Sequence, residues 1–333
     1  MSDNTVMTVL GPVSLGVLGV VDAHSHLYIA PPAGGAADAP VLTDEAGVGR
    51  ELAAFRAAGG GAIVDCQPGG CGRDGRVLCR LSQQSGVHVV ASTGFHRRRY
   101  YPPDAPLFAL SADAAADVFR DEIGNGLAET RVDDGRRPSS VHRPAPVDGR
   151  LSAVALPGLI KIAAEASLSA SPLALFEAAA AVARETAYAV EMHTERGAAV
   201  MEFLAFFAAR GLSPRRLVFC HVDKRPDFGL HRELAQAGVL LEYDTFFRSK
   251  YEPERYVWPL IRQMADAGLA DHVALATDMA DPGLWAELGG APGLPGFFTV
   301  IKEGLTRMSL PSATINGLLG GNIAGRLAVA DRR

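Results

Sequence analysis

The chain has 333 residues, of which 48% are hydrophobic and 21% are charged. That balance excludes an intrinsically disordered chain, because there are enough apolar residues to form a large buried core. The formal net charge of −5 also argues against a general nucleic-acid-binding protein, which would be expected to be basic.

The cysteine content and the first residues argue against three further classes. Four cysteines are too few, in a chain of this length, for a disulfide-stabilised scaffold, and no pair has the CxxC spacing of a structural zinc ribbon. The first 21 residues lack a basic region, and Gly and Pro interrupt their apolar run, so we predict neither a signal peptide nor a membrane span. We expect a cytoplasmic protein.

Short apolar runs alternate with amphipathic stretches eight times along the chain. The runs are continuously apolar and rich in β-branched residues, which is typical of strands buried on both faces of a parallel sheet. The predicted strands span residues 18–24, 62–66, 87–93, 159–164, 187–193, 217–222, 239–243 and 273–277. The predicted helices lie around 51–58 and over 113–127, 172–184, 198–210, 227–237, 254–267 and 296–308.

Eight strand–helix units predict an α/β fold, a (β/α)8 TIM barrel that occupies residues 1–333 as a single domain. A doubly wound sheet is the alternative, but no glycine-rich fingerprint follows the first strand. The stretch 131–156 is polar and rich in Arg and Pro, so we interpret it as a loop insertion without a catalytic role.

Catalytic groups of such a barrel lie at the carboxyl ends of its strands. Polar residues interrupt or follow five of the predicted strands at this end, and we expect them to meet in one pocket. These candidates are His24 and His26 at strand one, Lys161 at strand four, His193 at strand five, His221 at strand six and Asp278 at strand eight.

His24 and His26 are two residues apart, so on a strand both side chains point into the barrel. Two adjacent imidazoles repel each other if protonated and lack partners if neutral, and a divalent cation resolves both problems. A pair of hydrogen-bonded structural histidines is the alternative. Asp278 could ligate a metal and accept a proton from a metal-bound water, or it could instead cap the next helix.

Lys161 lies within the apolar stretch LPGLIKIAAE, and a buried ammonium must be neutralised, paired or modified. Schiff-base chemistry is one interpretation, carbamylation to a metal-bridging carboxylate is a second, and a structural lysine that reaches outward is a third. The histidines favour the carbamate, because a bare ammonium beside cations would be repelled. Cys220 would point away from the site, opposite to His221. The histidines at 88, 142, 231 and 272 are assigned to structure or solvent.

These motifs resemble the phosphotriesterase-related family of the amidohydrolase superfamily, including its lactonase-like members, over nearly the whole chain. The chain departs from the family pattern by Ser25 between the first histidines, where glutamate is common, and by the insertion. The segments that carry the resemblance are TVLGPVSLGVLGVVDAHSHL with the HxH motif, PGLIKIA with the lysine, EMHTERG and FCHVDKRPD with the later histidines, LATDM with the aspartate, and LGGNIAGRL as the closing helix.

The resemblance implies a centre of two divalent metal ions. His24, His26 and Asp278 would hold the more buried ion. His193 and His221 would hold the more exposed ion, and a carbamate on Lys161 would bridge the two ions together with a hydroxide. Zinc is the default, while Mn2+, Co2+ or Fe2+ would suit the same ligands. The hydroxide would attack the substrate, and Asp278, as the catalytic proton acceptor, would take its proton.

Basic and tyrosine side chains near the predicted mouth indicate a small-molecule substrate that carries an anionic group. The RSKY stretch, together with Lys224, resembles family members that hydrolyse phosphorylated sugar lactones. Tyr100 and His96 are both candidates for polarising the substrate carbonyl, and their spacing does not choose between them. The predicted substrate-binding residues are His96, Tyr100, Lys224, Arg248 and Tyr251.

The predicted function is therefore hydrolysis of a small polar lactone, for example a sugar-acid lactone with or without phosphate. Within the enzymes, hydrolysis of organophosphate triesters is the first alternative and an amidase or deaminase is a further one. A non-catalytic barrel scaffold is the alternative outside them. We expect no nucleic-acid or membrane partner, and a homodimer is one oligomeric state that the sequence leaves open.

Overall fold

The structure is a computed structural model that describes residues 4–131 and 154–330. Most of the predicted insertion at 131–156 lies outside the described residues. The strands, in chain order, are β1 (Asn4–Thr8), β2 (Gly11–Ser14), β3 (Val20–Ser25), β4 (Gly60–Asp65), β5 (His88–Val90), β6 (Ser92–Gly94), β7 (Leu159–Ala163), β8 (Val190–His193), β9 (Leu217–Cys220), β10 (Leu240–Tyr243), β11 (Val273–Leu275) and β12 (Val329–Ala330).

The α-helices lie largely between these strands. They are α1 (Leu15–Leu18), α2 (Glu45–Ala57), α3 (Gly75–Ser85), α4 (Ala112–Asn125), α5 (Leu173–Thr186), α6 (Val200–Ala209), α7 (Phe228–Ala237), α8 (Pro253–Asp266), α9 (Glu303–Arg307), α10 (Ser312–Asn316) and α11 (Asn322–Leu327). Local sequence sets their ends. Asp227 caps the start of α7 by accepting a hydrogen bond from the Leu230 N–H, and Gly238, with φ of 107°, ends it.

All eight predicted strands are present as parallel neighbours. β3, β4 and β5 form one hydrogen-bonded ladder, and β6 to β11 form another in sequence order. The third predicted strand is interrupted at Ala91, which separates β5 from β6, so the two ladders are halves of one continuous wall.

The wall closes between β11 and β3. The Asp278 N–H donates to the His24 carbonyl at 2.8 Å. The Thr277 N–H and hydroxyl donate to the buried Asp22 carboxylate at 3.0 and 2.5 Å. The barrel predicted from the sequence is therefore confirmed, and a buried side chain takes part in closing its last seam.

The end of the barrel at which the strands begin is filled with apolar side chains. Leu159, Val218 and Leu240 belong to one buried cluster, and Val6 of β1 packs into the same cluster. β1 pairs antiparallel with both β2 and β12. This small sheet was not predicted, because Pro12 weakens the strand pattern and β12 pairs with a segment more than 300 residues away.

The helix predictions hold to within about two residues for α4 to α8, which is the usual uncertainty of helix ends. The predicted helix at 296–308 is divided into a π-helix over Phe297–Lys302 and α9. Across the two described ranges, every helix is too short or too polar to cross a membrane.

Candidate metal centre

The structure brings all six predicted ligand residues to the carboxyl end of the barrel. His24 Nε2 and His26 Nε2 each lie 3.8 Å from the same oxygen, Asp278 Oδ1. The ring centroids of His24 and His221 are 5.0 Å apart, and those of His193 and His221 are 4.8 Å apart. Donor atoms of His24, His221 and Asp278 fall within 4.8 Å of one another, which is a spacing that a cation could bridge.

Two of these residues have backbone conformations that L-residues rarely adopt. His221 has φ of 62° and Asp278 has φ of 47°. Such strain is retained where the surrounding structure fixes it, and it is concentrated at functional sites. At His221 the left-handed turn also breaks the alternation of the strand, so that both Cys220 and His221 reach the barrel interior.

The predicted orientation of Cys220 is therefore wrong. Its Sγ lies 3.4 Å from Lys161 Nζ, inside the barrel, although the residue is completely buried as core residues are. The prediction assumed that β9 continues through His221, but β9 ends at Cys220.

Each of the four histidines has one ring nitrogen engaged by an acceptor. His24 Nδ1 lies 3.1 Å from Glu242 Oε2, and His26 Nδ1 lies 2.9 Å from Gln67 Oε1. These contacts fix the tautomer, because the nitrogen that faces a carboxylate or amide oxygen donates its proton to it. The other nitrogen, Nε2 in both rings, is left with a lone pair on the side of Asp278.

The other two histidines follow the same rule. His221 Nδ1 lies 2.7 Å from Asp244 Oδ2, and His193 Nε2 lies 3.0 Å from Glu195 Oε1. A carboxylate behind a histidine is the usual support of a metal ligand, because it orients the ring and makes the opposite nitrogen more basic.

Burial keeps these imidazoles neutral. It lowers the pKa of His26 to about 4 and lowers the pKa values of His193 and, more strongly, of His24 and His221. A protonated imidazole cannot bind a cation, so depressed pKa values leave the ligand nitrogens available at neutral pH.

Asp278 is the carboxylate at the middle of the group. Burial, the largest single effect, raises its pKa, but Arg248, His221 and Lys224 together outweigh burial and hold the pKa below its ordinary value. Arg248 Nη2 lies 3.0 Å from Asp278 Oδ2, and its Nη1 donates to the Asp244 and Thr277 carbonyls. Asp278 is thus kept ionised and held in place.

A layer of polar side chains lies beneath the histidines. Lys161 Nζ lies 2.7 Å from Glu191 Oε1, and Cys66 Sγ donates to the same oxygen. Glu242 lies close by, and all four side chains are inaccessible to solvent. Despite burial, which lowers it, the neighbouring Cys220, Cys66 and Glu191 raise the pKa of Lys161 well above its ordinary value.

The surroundings of Lys161 are compatible with a carbamate. A carbamylated lysine keeps one N–H, which could still donate to Glu191 Oε1. Lys161 belongs to β7, which pairs with β8, the strand that ends in His193. The neighbouring Glu191 Oε2 has no hydrogen-bond partner among the described residues. The donor set of imidazoles and carboxylates likewise suits divalent cations such as zinc.

A cavity of about 160 Å³ opens on the histidines. Its lining includes His26, His193, His221 and Asp278 together with three of the predicted substrate-binding residues, His96, Tyr100 and Lys224. Arg248 and Tyr251 stand beside it: Arg248 is held on Asp278, and the ring of Tyr251 lies 5.6 Å from Lys224 Nζ.

Sequence reasoning missed the residues that support the ligands. Glu191 and Glu242 carried the same signal as Lys161, since each is a charged residue inside an apolar run, AYAVEMH or VLLEY. Gln67, Asp244 and Glu195 carried no such signal, because they follow strands directly and resemble ordinary loop residues.

Known proteins are similar to this chain over most of its length. The phosphotriesterase family profile matches residues 4–136 and 152–291, which is most of the chain. A phospho-furanose lactonase of Mycoplasmopsis synoviae is 26% identical over 286 residues, covering 84% of this chain and 77% of the relative. An N-acetyltaurine hydrolase of Tetraodon nigroviridis is 28% identical over 273 residues, covering 72% of this chain and 71% of the relative.

A solved structure shares the fold over its entire length. The lactonase from Listeria monocytogenes superimposes with a TM-score of 0.82 at 18% identity, covering 98% of this chain and 100% of the other. The family resemblance seen in the motifs is confirmed. The chain belongs to the phosphotriesterase family and is a hydrolase.

Proposed function

We propose that the chain is a dinuclear metal-dependent hydrolase that opens a small polar lactone bearing an anionic group. One observation carries the proposal: the four histidines at the mouth each have one ring nitrogen engaged by an acceptor, and the remaining nitrogens of His24 and His26, both Nε2, each lie 3.8 Å from Asp278 Oδ1. A buried histidine with a purely structural role is expected to have both ring nitrogens hydrogen-bonded, so these unengaged nitrogens favour a bound cation.

The ligand assignment is the one that the family resemblance implies. His24, His26 and Asp278 would hold one cation, and His193 and His221 would hold a second, with a carbamate on Lys161 between them. Two such cations, zinc by default, supply Lewis acidity that makes water a nucleophile near neutral pH and polarises the scissile carbonyl.

The side chains of the chain supply proton transfer and orientation. The ion pair with Arg248 helps to keep Asp278 ionised. Asp278 would accept the proton of the attacking water at a carboxylate oxygen and return it to the leaving alkoxide of the opened ring. Each of the four rings is oriented by one acceptor, so the histidines need not reorient during attack. These acceptors are Glu242, Gln67, Asp244 and Glu195.

Lys224 is the best placed group to recognise an anion. It lines the cavity, it forms no ion pair within 4 Å among the described residues, and the nearby Asp244 and Asp278 keep its pKa raised despite burial. The Tyr251 hydroxyl and ring lie beside it and would complete a site for phosphate or a comparable oxyanion.

The names of the relatives support an anionic substrate. Phospho-furanose lactones carry a phosphate, and N-acetyltaurine carries a sulfonate, although the bond to be broken is an ester in one and an amide in the other. We infer that the shared feature is the acidic group at a distance from the scissile carbonyl, and that this chain uses it as well.

A substrate panel tests the proposal. The enzyme loaded with zinc or manganese is assayed on phosphorylated and plain aldonolactones, on N-acyl amides of an aminosulfonate, and on paraoxon-type triesters. We expect kcat/KM to be highest for a phosphorylated lactone. A triester as the best substrate would contradict the lactonase assignment, and no turnover with less than about one bound metal per chain would favour a scaffold.

A matched pair of lysines tests the anion site. Lys224 and Lys250 both lie near the Tyr251 ring, at 5.6 and 5.2 Å, but only Lys224 lines the cavity. We expect Lys224→Met to raise KM for the phosphorylated lactone by about 10-fold or more, equivalent to an ionic hydrogen bond, and to leave the plain lactone nearly unaffected. Lys250→Met should change neither. Equal losses on both lactones would overturn the anion site.

A further inference from the structure

His96 lies in the cavity wall, where the chain leaves β6. Its ring centroid is 5.3 Å from that of His193 and 4.9 Å from that of Tyr100. It is therefore next to the metal centre without belonging to the six predicted ligands, and the mechanism above gives it no task.

The structure fixes the tautomer of His96. The backbone N–H of Arg97 donates to His96 Nδ1, with an N···N distance of 2.7 Å. A ring nitrogen that accepts a hydrogen bond carries a lone pair and no proton, so the ring is neutral and its proton is on Nε2. Among the described residues the ring's hydrogen bond is the one at Nδ1, and His96 lines the cavity.

The position of the ring is also fixed. The Tyr101 hydroxyl accepts a hydrogen bond from the His96 backbone N–H at 3.0 Å and donates to the Gly69 carbonyl. Tyr100 packs edge-on against the ring, with an interplanar angle of 79°. An N–H donor that is held in place before the substrate arrives stabilises a developing negative charge better than a freely rotating one.

Building on the proposed function, we propose that His96 Nε2–H donates a hydrogen bond to the carbonyl oxygen of the bound lactone and stabilises that oxygen as it becomes negative during attack. This resolves the choice between His96 and Tyr100 in favour of the imidazole. The ring neighbours His193 and lines the same cavity, into which a carbonyl could enter. His96 is thus a catalytic residue rather than a metal ligand.

The test compares four variants of the metal-loaded full chain with wild type on the best lactone of the panel. His96→Phe removes the donor, and we expect kcat to fall about 100-fold with little change in KM, as for loss of one oxyanion donor. His96→Gln places an amide N–H near the former Nε2 and should recover part of that loss, whereas the shorter His96→Asn should not. His88→Gln, a histidine at the start of β5, should be unchanged.

A second measurement does not depend on turnover. In ¹⁵N-histidine NMR spectra of the protein, the His96 signals, assigned by their loss in His96→Gln, should show the Nε2–H tautomer. An Nδ1–H tautomer, an unchanged kcat in His96→Phe, or a larger loss in Tyr100→Phe would each overturn the inference. If wild type hydrolyses no lactone at all, the proposed function fails with it, and the tautomer result shows whether the structural premise was sound.

Discussion

Two buried histidines in different regions of the barrel show what distinguishes a ligand from a structural residue. His231, in α7, has both ring nitrogens satisfied by the protein: Nδ1 lies 2.8 Å from the Tyr243 hydroxyl, and Nε2 lies 3.0 Å from the Arg225 carbonyl. His221, at the mouth, has Nδ1 engaged by Asp244, while its Nε2 has no hydrogen-bond partner in the described part of the chain, and its ring lies beside those of His24 and His193.

The difference lies in what surrounds each ring, since both are buried and burial lowers the pKa of both. In the helical layer, carbonyl and hydroxyl groups surround the imidazole, so its hydrogen bonds are complete. At the mouth, each imidazole has one nitrogen on an acceptor, and the rings lie beside one another and beside the Asp278 carboxylate. Several neighbouring histidines that each have one ring nitrogen without a hydrogen-bond partner therefore indicate a metal centre better than burial does.

The largest expected effect is the loss of a ligand. We expect His221→Phe to reduce bound metal by about one equivalent and hydrolysis to the background rate, because the exposed cation would keep a single imidazole. Elemental analysis after growth with zinc and a kinetic assay measure both. Full metal content with full activity would show that His221 is not a ligand.

The next effect concerns the support of that ligand. Asp244 Oδ2 accepts hydrogen bonds from both the backbone N–H and Nδ1 of His221. We expect Asp244→Ala to weaken metal affinity by about 10–100-fold, the usual cost of removing such a carboxylate. Competition with a chelator measures the affinity. Asp244→Asn, which keeps one acceptor, should lose less, and an equal loss in both variants would point to misfolding instead.

The third effect is on pH dependence. The folded pKa of His26 is about 4, below its ordinary value of 6.5, so acid protonates the unfolded chain first. The depressed histidine pKa values therefore contribute stability above pH 6.5 that is lost as the pH falls towards 4. We expect the denaturation midpoint of the metal-free protein to drop over this range, while bound metal is retained at pH 6. Metal release between pH 7 and 6 would contradict the depressed pKa values.

The smallest functional effect is expected for His231, in the helical layer. His231→Phe leaves the Tyr243 hydroxyl without its partner, and we expect a loss of about 1–3 kcal/mol in unfolding free energy. Metal content and kcat should be those of wild type. A loss of metal in this variant would remove the distinction between the two histidines.

The sequence was sufficient to predict the barrel and the convergence of the candidate ligand residues, because both depend on short-range patterns. Continuous apolar runs mark buried strands, and polar residues at their ends are brought together by the closure of any such barrel. The last helix and Lys161 in β7 could be recognised in the sequence for the same reason.

What could not be predicted depends on contacts between distant segments. Glu242 supports His24 across 218 residues, and β12 pairs with β1 from the other end of the chain. The left-handed conformation of His221, which brings its ring to the interior beside Cys220, could not be predicted from the residue type, since histidine adopts this conformation only uncommonly. Register and strain of this kind arise only in the assembled fold.

Anomalous diffraction from crystals grown with zinc tests the central claim most directly. We predict two anomalous peaks at the barrel mouth, one among His24, His26 and Asp278 and one beside His193 and His221, with density for a carbamate on Lys161 between them. Peaks only in the deeper layer among Glu191, Glu242 and Cys220, or no peaks after soaking with excess zinc, would contradict the proposed centre.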